Sequence, residues 1–88
     1  IEEKNEQASN SLVVYPNPAD KIVNVYTNVL DKGTVISLYD LYNNELISKT
    51  LRRKQSQVQL DVTSVQQGIY IIKVKNGNSE TSKRVIIK

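Results

Sequence analysis

Short runs of alternating apolar and polar residues repeat along most of the chain. Alternation with a period of two indicates a strand with one buried face, because successive side chains of a strand point to opposite sides. Clusters of Pro, Asn, Asp and Gly separate these runs, and such residues favour turns. The pattern predicts seven strands, over residues 12–15, 22–27, 34–42, 45–51, 57–62, 69–75 and 80–88.

The last predicted strand has two chemically different faces. One face carries Val85 and Ile87. The other carries Arg84, Ile86 and Lys88. This alternation is typical of a strand.

Several turns can be predicted from residue type alone. Pro16 and Pro18 lack a backbone N–H and are expected to end the first strand. Asn43 and Asn44 suit a hairpin turn before the fourth strand, because Asn tolerates a positive φ. The segment Asn76-Gly77-Asn78 is the strongest hairpin signal in the chain.

The connection between the fifth and sixth strands has helix-capping residues. Residues 63–67 are predicted to form one tight helical turn, with Asp61 or Thr63 capping its start. Gly68 is expected to take the left-handed conformation at its end, because glycine adopts it without steric cost.

The strand spacing predicts the fold class. Seven short strands at intervals of about ten residues, without helical periodicity, indicate an all-β protein, a seven-stranded antiparallel Ig-like β-sandwich. Residues 1–11 are polar and are predicted to be a linker or tail. The folded domain is therefore predicted to span residues 12–88.

The composition argues against catalysis. The chain has 88 residues with no Cys and no His, so the usual nucleophile–base pairs and zinc ligand sets cannot be assembled. The acidic residues Asp20, Asp31, Asp40 and Asp61 fall at turns or strand ends, where aspartate commonly caps the backbone. We expect no enzymatic activity, no metal, no cofactor and no small-molecule substrate.

Charge is distributed unevenly along the chain. Residues 1–48 hold three basic and seven acidic side chains, and residues 49–88 hold nine basic and two acidic, so the two parts carry −4 and +7. The basic part indicates either a surface that meets an acidic partner or lysines that protect strand edges. Residues 52–54 form a short basic cluster without a neighbouring aromatic, so we expect a solvated loop and no nucleic-acid binding.

The chain shows no membrane or export segment of its own. No apolar run approaches the roughly 20 residues that a membrane-spanning helix needs. No signal peptide opens the sequence, so an export signal of a secreted parent protein is expected to lie upstream.

Four motifs occur in a fixed order along the chain. They are VYPNPA at 14–19, ISLYDL at 36–41, LDVTSVQQGIY at 60–70 and KRVIIK at 83–88. Together they closely resemble the type A C-terminal sorting domain of the type IX secretion system, also called the Por secretion system, of Bacteroidetes. The resemblance covers about residues 12–88. Two positions depart from the usual motifs, with Asn43-Asn44 where glycine is frequent and Thr63 where serine is frequent.

The resemblance implies a non-catalytic secretion signal behind a cargo domain in the same chain. Such a parent protein would pass through the periplasm and then an outer-membrane translocon, and would end at the cell surface or outside the cell. The partners implied are the type IX secretion machinery and a cell-surface sortase that typically removes the domain.

The last motif is the predicted recognition site. A strand at the end of a chain can pair with another chain, so Lys83, Arg84, Val85, Ile86, Ile87 and Lys88 are expected to present the signal to the translocon. Self-association by strand exchange is a further expectation. The other family positions are interpreted as mainly structural; they are Tyr15, Pro16, Asn17, Pro18, Leu38, Tyr39, Asp40, Asp61, Gly68 and Tyr70.

An alternative function belongs to another class. The same fold also serves as an Ig-like accessory or adhesion domain that binds carbohydrate or protein. A sorting domain is expected to be missing from the mature secreted product, whereas an accessory domain stays in it.

Overall fold

The computed structural model describes residues 12–88, and the predicted polar segment 1–11 lies outside the described residues. The described part of the chain contains seven strands and no helix. The strands are β1 (Leu12–Tyr15), β2 (Ile22–Leu30), β3 (Val35–Tyr39), β4 (Glu45–Thr50), β5 (Gln55–Asp61), β6 (Gly68–Asn76) and β7 (Ser79–Ile87).

The strands form two antiparallel sheets. One sheet has the order β1-β2-β5 and the other has the order β4-β3-β6-β7. The chain crosses between the sheets after β2, after β4 and after β5. The predicted seven-stranded antiparallel Ig-like β-sandwich is therefore confirmed.

The core lies between the two sheets and is almost wholly aliphatic. Each strand except β4 supplies its inward-facing alternate residues, as the period-two pattern predicts. Because the chain lacks Phe and Trp, branched side chains fill the interior, and Tyr70 is its single aromatic among the described residues. The buried apolar residues are Leu12, Val14, Ala19, Val23, Val25, Leu30, Ile36, Leu38, Leu51, Val58, Leu60, Val62, Tyr70, Ile72, Val85 and Ile87.

Two strand ends lie three residues from their predicted positions, and the other bounds differ by two residues at most. The second strand continues to Leu30, which is fully buried and pairs with Gln55 beyond a register shift. The third strand ends at Tyr39 rather than at residue 42. Asp40 ends it, because its Oδ1 accepts the N–H groups of Tyr42 and Asn44 at 2.8 and 2.9 Å and so replaces ladder bonding.

The hairpin turns have the predicted backbone conformation. Asn43 has a φ of 70° in the β3–β4 loop, and Gly77 has a φ of 62° between β6 and β7. Both values lie in the left-handed region that Asn and Gly tolerate. The prediction of these two turns from residue type is therefore confirmed.

The predicted helical turn at residues 63–67 is wrong. The structure has a β-turn closed by the N–H of Val65, which donates to the carbonyl of Val62 at 3.0 Å. Asp61 does act as a cap, with Oδ1 accepting the N–H of Thr63 at 2.9 Å. Gly68 has a φ of 157° and begins β6, so it does not adopt the compact left-handed conformation.

A hydrogen bond from Tyr70 stabilises the corner between β5 and β6. Its hydroxyl donates to the carbonyl oxygen of Gln66 at 2.6 Å, while the ring is largely buried. A Tyr at the start of this strand that bonds back to the backbone a few residues upstream is a feature of Greek-key sandwiches. The ring also lies against Gly68, where an added Cβ would sit 3.5 Å from Tyr70 Cε2.

Candidate functional site

The predicted recognition segment 83–88 is divided by the sandwich. Val85 and Ile87 are buried in the core and are closed to any partner of the folded domain. Lys83 lies at the rim, where Nζ donates to the carbonyl of Leu12 at 3.4 Å. Because side chains alternate along β7, those of Ser82, Arg84 and Ile86 are exposed on the outer face.

A mixed apolar and cationic surface surrounds the end of β7. We define the terminal patch as Arg84, Ile86 and Lys88 together with Ile69 and Ile71 of β6. Ile69 pairs with Ile86, and Ile71 pairs with Arg84, so these side chains adjoin on one face. Ile69 and Ile86 are 44% and 39% exposed. The patch suits a partner that offers both an apolar contact and negative charge.

Sequence reasoning placed Arg84, Ile86 and Lys88 in the site and missed Ile69 and Ile71. Residues 69–72 are apolar on both faces of β6, and an exposed strand face is normally polar. That uniform run is the signal that could have placed the outer face of β6 in the candidate site.

A short segment closes the outer edge of β7 at its end. We call residues 17–19 the strap. Asn17 Oδ1 accepts the N–H of Ile86 at 2.9 Å, and the N–H of Ala19 donates to the carbonyl of Ile86 at 2.7 Å. The N–H of Lys88 donates to the carbonyl of Ala19 at 2.8 Å, which makes a parallel bridge.

The flanking residues of the strap are exposed. Tyr15 ends β1 with its ring 42% exposed, and Pro16 and Pro18 lie on the surface on either side of Asn17. A proline has no backbone N–H, so neither proline competes with Ala19 for the carbonyl of Ile86 on β7. Ala19 itself is buried against the core.

The second motif organises the β3–β4 loop. Leu38 is fully buried, and the Tyr39 hydroxyl donates to Glu45 Oε1 at 3.0 Å, which raises the pKa of Tyr39. Lys73 Nζ lies 4.4 Å from the centre of the Tyr39 ring. Asn44 bonds the Asp40 carboxylate through its side chain and its backbone, which lowers the pKa of Asp40.

The third motif organises the β5–β6 corner and the inner side of β7. The Asp61 carboxylate bonds Thr63 through its side chain and its N–H, which lowers the pKa of Asp61. Gly68 pairs with Ile87, and Tyr70 pairs with Val85. The first and third motifs therefore flank the terminal strand on opposite edges, and Tyr39 of the second motif pairs with Ile71 of the terminal patch.

In residues 12–88 no group of three potential metal-ligating side chains comes together, and no helix there is long and apolar enough to cross a membrane. A hollow of about 410 Å³ beside the β5–β6 corner includes Asp40, Ser64 and Tyr70. The one carboxylate that lines it, that of Asp40, accepts the N–H groups of Tyr42 and Asn44 in the β3–β4 loop.

Comparison with solved structures shows the same fold in another protein. The chain is similar to part of PorZ, described as an essential bacterial surface component of the type IX secretion system of Porphyromonas gingivalis. The TM-score is 0.75 at 17% identity, over 93% of this chain and 12% of that chain. At this identity the likeness shows the fold alone, and this chain spans about an eighth of the length of that protein.

Sequence comparison identifies the family. No curated protein matches the chain. The family model described as the secretion system C-terminal sorting domain matches residues 13–88, which include all four motifs and, apart from Leu12, all seven strands. The chain therefore belongs to the family of type IX secretion C-terminal sorting domains.

Proposed function

We propose that this domain directs an upstream cargo protein through the periplasm and then through the outer-membrane translocon of the type IX secretion system. A cell-surface sortase then removes it. The observation that carries the proposal is the family match over residues 13–88, which indicates a sorting signal and export to the surface or beyond. The domain works by being bound rather than by catalysis, so the cargo supplies any activity.

The terminal patch is the proposed recognition surface for the machinery. Three observations support it: the patch is exposed apart from the half-buried Ile71, it combines isoleucine with cations, and it lies where the family motifs meet. Val85 and Ile87 contribute indirectly, because their burial holds Arg84 and Ile86 on the outer face. The proposal therefore narrows the predicted segment 83–88 to its outward residues and adds Ile69 and Ile71.

An export assay tests the proposal with point variants. The full chain is fused behind a reporter with a periplasmic signal peptide, in a bacterium with an active type IX system. Deleting 83–88 is uninformative, because it removes the buried Val85 and Ile87 and would unfold the sandwich. We expect the double variant Arg84→Glu, Ile86→Ser to reduce export about tenfold, the effect of losing roughly 1.4 kcal/mol of binding.

Lys54→Glu is the matched control, because Lys54 is an exposed cation in the β4–β5 loop, away from β7. We expect it to be exported like the wild type. Equal export of the patch variant and the control would contradict recognition by the terminal patch. Retention of the wild-type fusion in the periplasm would contradict the sorting function itself.

Removal by a sortase is tested on the exported product. Mass spectrometry of the wild-type reporter at the cell surface or in the medium is expected to show the reporter without peptides from residues 12–88. An exported product that keeps these peptides in all its copies would contradict proteolytic removal.

One observation favours the alternative of an accessory or adhesion domain. The outer face of β1-β2-β5 carries Val13, Tyr15 and Tyr26, all 42% exposed or more, beside the paired amides of Asn24 and Gln57. Exposed tyrosines beside neutral amides suit stacking on a sugar or a protein. The alternative requires the domain to remain in the mature product, so the same mass spectrum separates the two functions.

A further inference from the structure

The outer edge of β7 is hydrogen-bonded to the strap at its C-terminal end and has no backbone partner among the described residues in its N-terminal part. At its end, the N–H and C=O of Ile86 and the N–H of Lys88 are bonded to the strap and so point away from β6. The β6–β7 register runs without a shift from Asn76↔Ser79 to Gly68↔Ile87. Because backbone groups of alternate residues point to the same side, those of Glu80, Ser82 and Arg84 also point outward.

These outward groups have no backbone partner within residues 12–88. β7 pairs with β6 on its other side, and the strap reaches no further back than Ile86. β1 packs close to β7 but belongs to the other sheet, and its bond with Lys83 uses the lysine side chain, so among the described residues no backbone hydrogen bond joins β1 to β7. Residues 80, 82 and 84, which we call the open β7 edge, therefore offer three N–H and three C=O groups to an added strand.

The charged side chains beside the open β7 edge are mostly cationic. Lys73 and Lys75 lie across from Ser82 and Glu80, and Lys83 and Arg84 are on β7 itself. Glu80 is the one acidic residue there, and its oxygen is 4.0 Å from Lys73 Nζ. Cations at an open edge discourage pairing with further cationic strands, and they favour a strand with acidic side chains.

We propose that the open β7 edge accepts one extended acidic segment of the secretion machinery as a fifth strand of the β4-β3-β6-β7 sheet. Main-chain bonds hold the segment along residues 80–84, and its carboxylates meet Lys83 and Arg84. The strap ends the pairing, because it already occupies Ile86 and Lys88. This inference rests on the proposed sorting function and gives the partner's chemistry.

A second copy of the chain is the competing occupant. Antiparallel pairing centred on Ser82 would set Glu80 of one copy against Arg84 of the other. The same pairing would bring Lys73, Lys75 and Lys83 of both copies to one seam, and this surplus of positive charge is the reason we assign the edge to an acidic partner.

Proline scanning at the two edges of one sheet tests the open β7 edge. Ser82→Pro removes an outward N–H without breaking a β6–β7 bond, and proline is tolerated at such positions. Ser48→Pro is the matched control. The N–H and the C=O of Leu51 both bond on the β3 side, to Thr34 and Gly33. Backbone groups alternate in direction along a strand, so the N–H of Ser48, three residues earlier, points outward from β4.

We expect Ser82→Pro to reduce export of the full-chain fusion about tenfold and Ser48→Pro to leave it at the wild-type level. Wild-type export of Ser82→Pro would overturn the inference while leaving the sorting function intact. A wild-type fusion that is not exported would instead overturn the proposed function on which the inference rests. Circular dichroism melting checks that both variants fold.

Photo-crosslinking keeps the inference testable if Ser82→Pro does not fold. The wild-type fusion carries p-benzoylphenylalanine in place of Ser82, and the cross-linked peptides are sequenced by mass spectrometry. A cross-link to an Asp- or Glu-containing segment of a secretion-machinery protein supports the inference. Cross-links to a second copy of this chain, to a segment without acidic residues, or to no protein at all would overturn it.

Discussion

Removing the Tyr70 hydroxyl tests the β5–β6 corner in isolation. In Tyr70→Phe the ring keeps its buried place and its contact with Gly68, so the change removes the 2.6 Å bond to the Gln66 carbonyl. A net hydrogen bond contributes about 0.5–1.5 kcal/mol to stability. Gln66 is exposed, so water can reach its freed carbonyl and the penalty for an unsatisfied buried group is small.

We therefore expect the free energy of unfolding to fall by about 1 kcal/mol. For a domain of this size that corresponds to a decrease in Tm of roughly 4–8 °C. Urea unfolding followed by far-UV circular dichroism measures it, because the midpoint should shift while the slope m stays constant. Tyr70→Ala also removes the buried ring and should cost about 3–5 kcal/mol.

Tyr42→Phe is the control, because the Tyr42 side chain is 86% exposed and its loss of a hydroxyl should leave stability unchanged. The reasoning is refuted if Tyr70→Phe unfolds at the wild-type urea concentration. It is refuted equally if Tyr42→Phe is destabilised as much as Tyr70→Phe, since the effect would then belong to the substitution and not to the corner.

Three further predictions concern the terminal strand and the capping carboxylates. Asn17→Ala should lower stability by about 1 kcal/mol and speed amide exchange at Ile86, whose N–H loses its acceptor, and unchanged exchange there would contradict the strap. In urea unfolding, Ile87→Ala should lower the free energy of unfolding by about 2–5 kcal/mol, because Ile87 is only 2% exposed. Ile86→Ala should lower it by less than about 0.5 kcal/mol, because Ile86 is 39% exposed. Similar losses of stability in the two variants would contradict the alternation of buried and exposed residues along β7. The pKa values of Asp40 and Asp61 are lowered in the folded domain, so their stabilisation is complete above the ordinary value of 3.8 and is lost as the pH falls through and below it. In urea titrations over that range Asp61→Asn should show a shallower loss of stability than the wild type, and an identical slope would contradict the cap.

Much of the fold is predictable because the evidence for it is local. Strand faces follow from alternation within a few residues, as with Val85 and Ile87 against Arg84 and Ile86. Turn conformation follows from residue type, as with the positive φ of Asn43. The wrong helical turn at 63–67 has a local cause too, because the same capping residue, Asp61, suits both a helix start and a β-turn.

The candidate site was only partly predictable because its parts are distant in sequence. The motifs identified the terminal strand, but they could not show that the other sheet covers Val85 and Ile87, nor that Ile69 of the preceding strand is exposed with the half-buried Ile71 beside it. Exposure of an apolar residue depends on which sheet covers it, and an apolar run alone does not carry that information.

Local patterns are enough to identify this chain as a β-sandwich of the sorting family, since alternation, turn residues and motif order are properties of neighbouring residues. The bonding of the strap to the terminal strand depends on the packing of the two sheets and could not be read from those patterns. Asn17 and Ile86 are 69 positions apart and meet because both sheets fold over one core. The same packing decided which half of β7 is closed and which half is open, because backbone pairing is set by neighbours in space.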